Sequence, residues 1–151
     1  MIEYHIKRET SMKKKAIITV KSNASMDDNK LIEVISPGEF YIDDNEFRVE
    51  YDETEISGME GTKTIIFIRD NSFILERKGS TTTKMDFKKR MKSTSLYKTP
   101  YGILKLNVDT KNLDIDVNEN GGTIDVKYSM GIEGQVAMNT NLVVDIKVND
   151  K

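Results

Sequence analysis

The sequence predicts an all-β fold: a single antiparallel up-and-down barrel of about 8–10 strands. Three observations carry that expectation. Apolar and polar residues alternate in run after run, with short turn-forming clusters between the runs. No convincing helical period of useful length interrupts them. Strands joined by short hairpins also leave two raw sheet edges unless the sheet closes on itself, and a barrel is the simplest closure. A two-sheet sandwich is the alternative, but its crossings need longer connections than this chain offers.

Taken in order, Ala16, Ile18 and Val20 form the first inward set, and Leu31 to Ile35 a shorter strand. The segment Ser22 to Lys30 between them is polar and reads as a loop. Asp43-Asp44-Asn45 separates the short run "FYI" from "EFRVEYDETEI", where Phe47, Val49, Tyr51 and Glu53 share a face. The hairpin "SGMEG" leads into "TKTIIFIR", and Asp70-Asn71 turns the chain into "SFILERK", with Phe73, Leu75 and Arg77 on one face. Thr83, Met85 and Phe87 follow, then the basic turn "KKRMK" and the strand "STSLYKT". Pro100 marks a strand end or corner. Leu104, Leu106 and Val108 form one set beyond it, and Leu113, Ile115 and Val117 another, before the hairpin signal Asn120-Gly121-Gly122. The last two strands are long. Ile124, Val126, Tyr128 and Met130 line one, and Val136 to Val148 at every second residue line the other.

A length of 151 residues suits one domain able to bury a real core. Met12 precedes three lysines and the first strand, so residues 1–12 read as an N-terminal extension, either upstream of the natural start or a flexible tail. Residues 13–151 then form the single barrel domain. With no cysteine there is no disulfide, thiolate metal site or cysteine nucleophile, which suits a reducing cytoplasm. The N-terminus lacks the apolar core of a signal peptide, and no apolar run is long enough to span a bilayer. A net charge of −2 is a poor basis for non-specific nucleic-acid binding.

The segments "VEYDETEISGMEGTKTIIFI", "LERKG", "MDF", "LYKTPYGILKLNVDT" and "GGTIDVKYSM" follow one another in an order that resembles the YwiB-like proteins of Gram-positive bacteria, a family of uncharacterised β-barrels. The resemblance runs from Lys15 to the C-terminus. Its most specific pieces are Tyr51-x-Glu53-Thr54, Arg77-x-Gly79 and Tyr97-x-Thr99-x-Tyr101-Gly102. It implies a calycin, or lipocalin-like, barrel, and it supplies no established activity.

Catalytic chemistry is hard to assemble here. The one histidine, His5, lies in the N-terminal extension, which works against Ser–His or His–metal arrangements. No glycine-rich phosphate loop joins a strand to a helix. Asp114, Asp116 and Asn118 have calcium-loop spacing, but Glu119 stands where glycine is needed, so outward strand acids explain them better. Lys88, Lys89, Arg90 and Lys92 read as a solvated turn. No cofactor or metal site is expected.

What is left is a polar set on the inward faces: Tyr51, Glu53, Arg77, Tyr97, Thr99 and Tyr128. A buried charge costs several kcal/mol unless it is paired or hydrogen-bonded, so Arg77 needs a partner. Either Glu53 closes a structural network with the tyrosines, or the set holds a ligand. Glu53 is the favoured partner. In the ligand reading, Arg77 with Tyr128 or Tyr97 anchors a small amphiphilic or anionic molecule among Phe47, Phe73, Leu75 and Met85, as a guanidinium fork grips a carboxylate. The function expected is therefore a non-enzymatic binding barrel, with a filled-core protein-interaction barrel as the alternative. The chain is a monomer or a homodimer.

Overall fold

A computed structural model describes residues 12–24, 31–80, 82–133 and 137–149. Ten antiparallel strands form one sheet: β1 Met12–Ala24, β2 Leu31–Ile42, β3 Phe47–Asp52, β4 Lys63–Ile68, β5 Ser72–Lys78, β6 Thr83–Lys88, β7 Lys92–Thr99, β8 Gly102–Asn118, β9 Gly121–Ile132 and β10 Met138–Asn149. Their spatial order is β6-β5-β4-β3-β2-β1-β10-β9-β8-β7. The two edge strands, β6 and β7, are consecutive in the chain and joined by the Lys89–Met91 turn, so the sheet curls into a nearly closed barrel.

The seam between β6 and β7 is pinned rather than zipped. At one end Thr82 and Lys98 exchange backbone hydrogen bonds of 3.2 and 2.9 Å. At the other, Arg90 takes a left-handed φ of 63°, and its N–H donates to the Thr110 carbonyl at 3.0 Å while the Thr110 N–H donates to Met91. The basic turn thus exposes its side chains and ties its backbone to β8.

Inward parity produces one continuous core. Phe40, Val49, Ile66, Ile68, Phe73, Leu75, Met85 and Phe87 belong to it from one side, and Val108, Ile124, Val126 and Val144 from the other. Phe73 stacks on Phe87 at 4.6 Å between centroids, and Phe87 meets the Tyr128 edge at 4.9 Å. Such aromatic pairs favour stacked or edge-to-face geometry and hold more than their buried area alone.

Several strand boundaries differ from the sequence reading. β2 runs unbroken through Pro37-Gly38, joining the Leu31–Ile35 run to "FYI". Pairing with β3 covers only Gly38–Ile42, so Pro37 sits where the ladder on that side has stopped, a place that tolerates a missing N–H. β3 ends at Asp52 rather than continuing to Ile56, because a 3₁₀ turn at Glu55–Ser57 follows it. β8 joins two expected strands into one, with a bulge between Thr110 and Asn112. The extra residue, Lys111, lets Leu106 and Val108 and then Leu113 face inward although their parity changes.

Ser22–Ala24, expected in a loop, belong to β1, and residues 25–30 lie outside the described residues. Met12, assigned to the extension, opens β1, whereas residues 1–11 with His5 lie outside the described residues, as does Val136. Asp114, Asp116 and Asn118 are exposed strand residues of β8. Among the described residues no helix is long and apolar enough to cross a membrane.

Candidate functional site

Backbone register builds the site. Gly38 lies opposite Tyr51, Tyr51 opposite Thr64, Thr64 opposite Arg77, and Arg77 opposite Thr83. Directly opposed residues of antiparallel strands point to the same face, so Tyr51, Thr64, Arg77 and Thr83 form a polar row across β3 to β6 on the interior wall. Glu53 lies two residues beyond Tyr51. Although β3 has ended, its N–H still donates to the Thr62 carbonyl at 2.8 Å, which keeps its side chain inward and buried.

Gly79 shapes the same corner. Its φ is 146°, and an added Cβ would run into the Gly61 carbonyl oxygen and the Thr62 backbone. Only glycine lets the end of β5 approach the β3–β4 connection this closely.

The interactions within the row are unequal. The Thr64 hydroxyl donates to Glu53 Oε2 in a short hydrogen bond. Arg77 Nε lies 3.9 Å from that same oxygen, within ion-pair range but too far for a hydrogen bond. The Glu53 side chain is only 4% exposed, whereas that of Arg77 is 20% exposed. Nε itself is buried and has no hydrogen-bond partner. Glu53 therefore neutralises Arg77 without satisfying it. The hydroxyl of Thr83 beside it is likewise buried and unpartnered, as is that of Ser95 on β7.

The two interior tyrosines respond to this charge. Burial, then the Glu53 carboxylate, pushes the Tyr51 phenol well above its ordinary range, with Arg77 pulling it back. Burial also raises Tyr128, opposed first by Arg77 and then by hydrogen bonding with Thr140. The guanidinium is thus felt at Tyr128, on the far wall, as well as at Tyr51.

Three of the other expected residues, Tyr51, Glu53 and Tyr128, lie within reach of the Arg77 charge. Tyr97 and Thr99 do not join them so closely. Ser93, Ser95, Tyr97 and Thr99 form the half-buried face of β7, and Leu96 points out at 56% exposure. The Thr99 hydroxyl is committed to the β7–β8 turn, where it donates to the Gly102 carbonyl at 3.0 Å and accepts the Tyr101 N–H at 3.1 Å. Sequence reasoning missed Thr64, the residue that holds Glu53. Its parity with Ile66 and Ile68 placed it inward, but only the strand register shows it beside Arg77.

The hydrophobic wall expected around a ligand tail is occupied by side chains. Phe73, Leu75 and Met85 pack within the core cluster, and Phe47 packs against it and stacks on Phe40 at 5.5 Å. Surface depressions reach parts of the polar row without reaching Arg77. A groove of about 600 Å³ follows the β6–β7 seam past Thr83, Lys84, Ser95 and Leu96. Another of about 510 Å³ is lined by Asn23, Lys127, Tyr128, Asn139, Thr140 and Asn141, so it includes one of the site tyrosines. Arg77 lines neither.

Residues 18–144 match the family described as "Domain of unknown function (DUF1934)". A curated relative, the "Uncharacterized beta-barrel protein YwiB" of Bacillus subtilis (strain 168), is 26% identical over 124 residues, covering 80% of this chain and 86% of that protein. The crystal structure of the ywiB protein from Bacillus subtilis superposes with a TM-score of 0.81, covering 94% of this chain and 97% of that one at 22% identity, a likeness of fold.

Proposed function

The chain belongs to the DUF1934 family, and on that footing we propose that it is a non-enzymatic barrel that binds a small anionic group at the Arg77 rim. The observation that carries this reading is the unpartnered Nε of Arg77. Arg77 keeps a buried Nε without an acceptor although a carboxylate oxygen, itself accepting from Thr64, stands 3.9 Å away. An anion of carboxylate or phosphate size would accept from the fork directly, and charge-assisted bonds of this kind are about twice as strong as neutral ones. The Tyr51 and Tyr128 phenols, both raised by burial, feel the same Arg77 charge.

The stacked Phe73 and Phe87 argue for a headgroup-sized ligand rather than one with a long tail inside the barrel. Binding in place of catalysis agrees with a chain that has one histidine and no cysteine, and a reducing cytoplasm is the compartment proposed. The packed core also favours a second reading, a barrel that works through its outer surface.

Titration with sodium acetate and with sodium phosphate, followed by amide chemical shifts, tests the first reading. Saturable shifts should cluster at Tyr51, Arg77 and Tyr128 and disappear in Arg77→Gln, and the anion that saturates first identifies the ligand class. Shifts spread evenly over surface lysines, or unchanged in Arg77→Gln, would overturn it.

A further inference from the structure

β6 and β7 end the sheet on its two sides and form no ladder with each other. Their register is nevertheless set at one point, where Thr82 and Lys98 exchange both backbone hydrogen bonds. Antiparallel neighbours advance from such a pair one residue at a time in opposite directions. Thr83 and Tyr97 therefore come next on the inner face, and Ser95 lies diagonal to Thr83. On its other side Thr83 stands opposite Arg77. Arg77, Thr83 and Ser95 thus follow one another on β5, β6 and β7.

These three residues share a deficiency. Arg77 Nε and the hydroxyls of Thr83 and Ser95 are buried, and none has a hydrogen-bond partner. Folded proteins pair nearly all such groups, so three orphans on consecutive strands form an unusual cluster. Thr83 itself is only 5% exposed. Yet Thr83 and Ser95 line the groove of about 600 Å³ that follows the seam, because no ladder closes the wall there. Lys78, Lys84 and Lys98 line it too, with Glu76 and Asp86. Glu76 answers Lys78 at 2.9 Å, which leaves two lysines against the one carboxylate of Asp86.

We propose that this slot takes a small phosphate monoester, with its phosphate on Arg77 Nε and the Thr83 and Ser95 hydroxyls and its organic part in the groove. The inference rests on the Arg77 reading above and names the ligand of that site. Donors from three strands converge on a tetrahedral oxyanion, whereas a planar carboxylate is satisfied by a guanidinium fork alone. The organic part lies in the groove because the inward neighbours of Arg77 and Thr83, Leu75 and Met85, are packed into the core. A volume of about 600 Å³ falls within the roughly 300–1,000 Å³ of small-molecule sites. Lys84 and Lys98 favour an anion at the entrance.

Amide chemical shifts during titration with sodium acetate, sodium phosphate and phenyl phosphate test the proposal. Phosphate should saturate the Arg77 signals at a concentration at least about tenfold below acetate, since one hydroxyl bond to a charged group adds about that factor. Phenyl phosphate should in addition shift Lys84, Thr94 and Leu96 along the groove. Thr83→Val and Ser95→Ala should each weaken phosphate about tenfold and leave acetate unchanged. Neither should lower the Tm of the anion-free protein, because the hydroxyl removed leaves no partner behind. If neither anion saturates Arg77 in the wild type, the Arg77 reading falls and this inference with it. If acetate saturates as early as phosphate, if both variants bind phosphate like the wild type, or if phenyl phosphate leaves the groove silent, this inference alone is overturned. A lower Tm in Thr83→Val overturns it too, by showing that the hydroxyl serves the fold.

Discussion

Arg77→Met removes the guanidinium and keeps most of the apolar stem. At 3.9 Å and an effective dielectric of about 20, the attraction to Glu53 is worth about 4 kcal/mol. The wild-type protein also bears a buried Nε with no acceptor, and removing that group returns about 1–3 kcal/mol. The difference is a net loss of about 2 kcal/mol, below the 3–5 kcal/mol expected on breaking a fully hydrogen-bonded buried pair. For a chain of this size that corresponds to a fall in Tm of about 4–8 °C. Urea unfolding in the absence of phosphate and carboxylate buffers measures it, with Arg77→Met/Glu53→Gln as the partner variant. The double variant should recover most of the loss, because Glu53 is then no longer a buried charge. A loss of about 4 kcal/mol or more would mean that Glu53 satisfies Arg77 after all, and the unsatisfied-fork reasoning would be refuted. No loss at all would mean that Glu53 does not rely on Arg77.

Gly79→Ala should cost at least about 1–3 kcal/mol, since the left-handed backbone and the collision with the Gly61 carbonyl act together; chemical denaturation measures it. Deleting Lys111 removes the bulge residue, so Leu113, Ile115 and Val117 turn outward and the protein should fail to fold, as read by circular dichroism. Tyr51 and Tyr128 have folded-state values raised above the free phenol near 10. Their stabilising contribution is complete below that pH and is lost as pH rises toward the folded values. Stability should therefore decline above about pH 10, less steeply in Tyr51→Phe, and tyrosinate absorbance should show these phenols ionising only with unfolding.

Much of the architecture was legible because alternation is a local property. Phe47, Val49, Tyr51 and Glu53 declare their shared face without any knowledge of neighbouring strands, and the structure buries three of them and half-buries Phe47. What alternation does not reveal is register. Thr64 looked like an ordinary strand residue until the β3–β4 pairing set it opposite Tyr51. Thr99 looked inward by parity, yet the turn two residues later claims its hydroxyl. The parity change between Val108 and Leu113 was visible, but a strand break and a bulge explain it equally well at the level of sequence. The separation of Arg77 from Glu53 depends on the end geometry of β3 and on Gly79, and no spacing rule encodes it.

One mismatch of strand lengths accounts for the polar rim. β3 to β6 are six or seven residues long, whereas β1, β2, β9 and β10 have twelve or thirteen. The short wall stops near the row Tyr51, Thr64, Arg77 and Thr83, so this row sits at a rim where Arg77 keeps some contact with water. Gly38 is the first residue of the same row, and past it β2 runs beside the Glu55–Ser57 turn that follows β3. A longer β3 would carry the sheet beyond Arg77 and close that rim. Ending β3 at Asp52 leaves Arg77 at a rim with a buried Nε that has no acceptor.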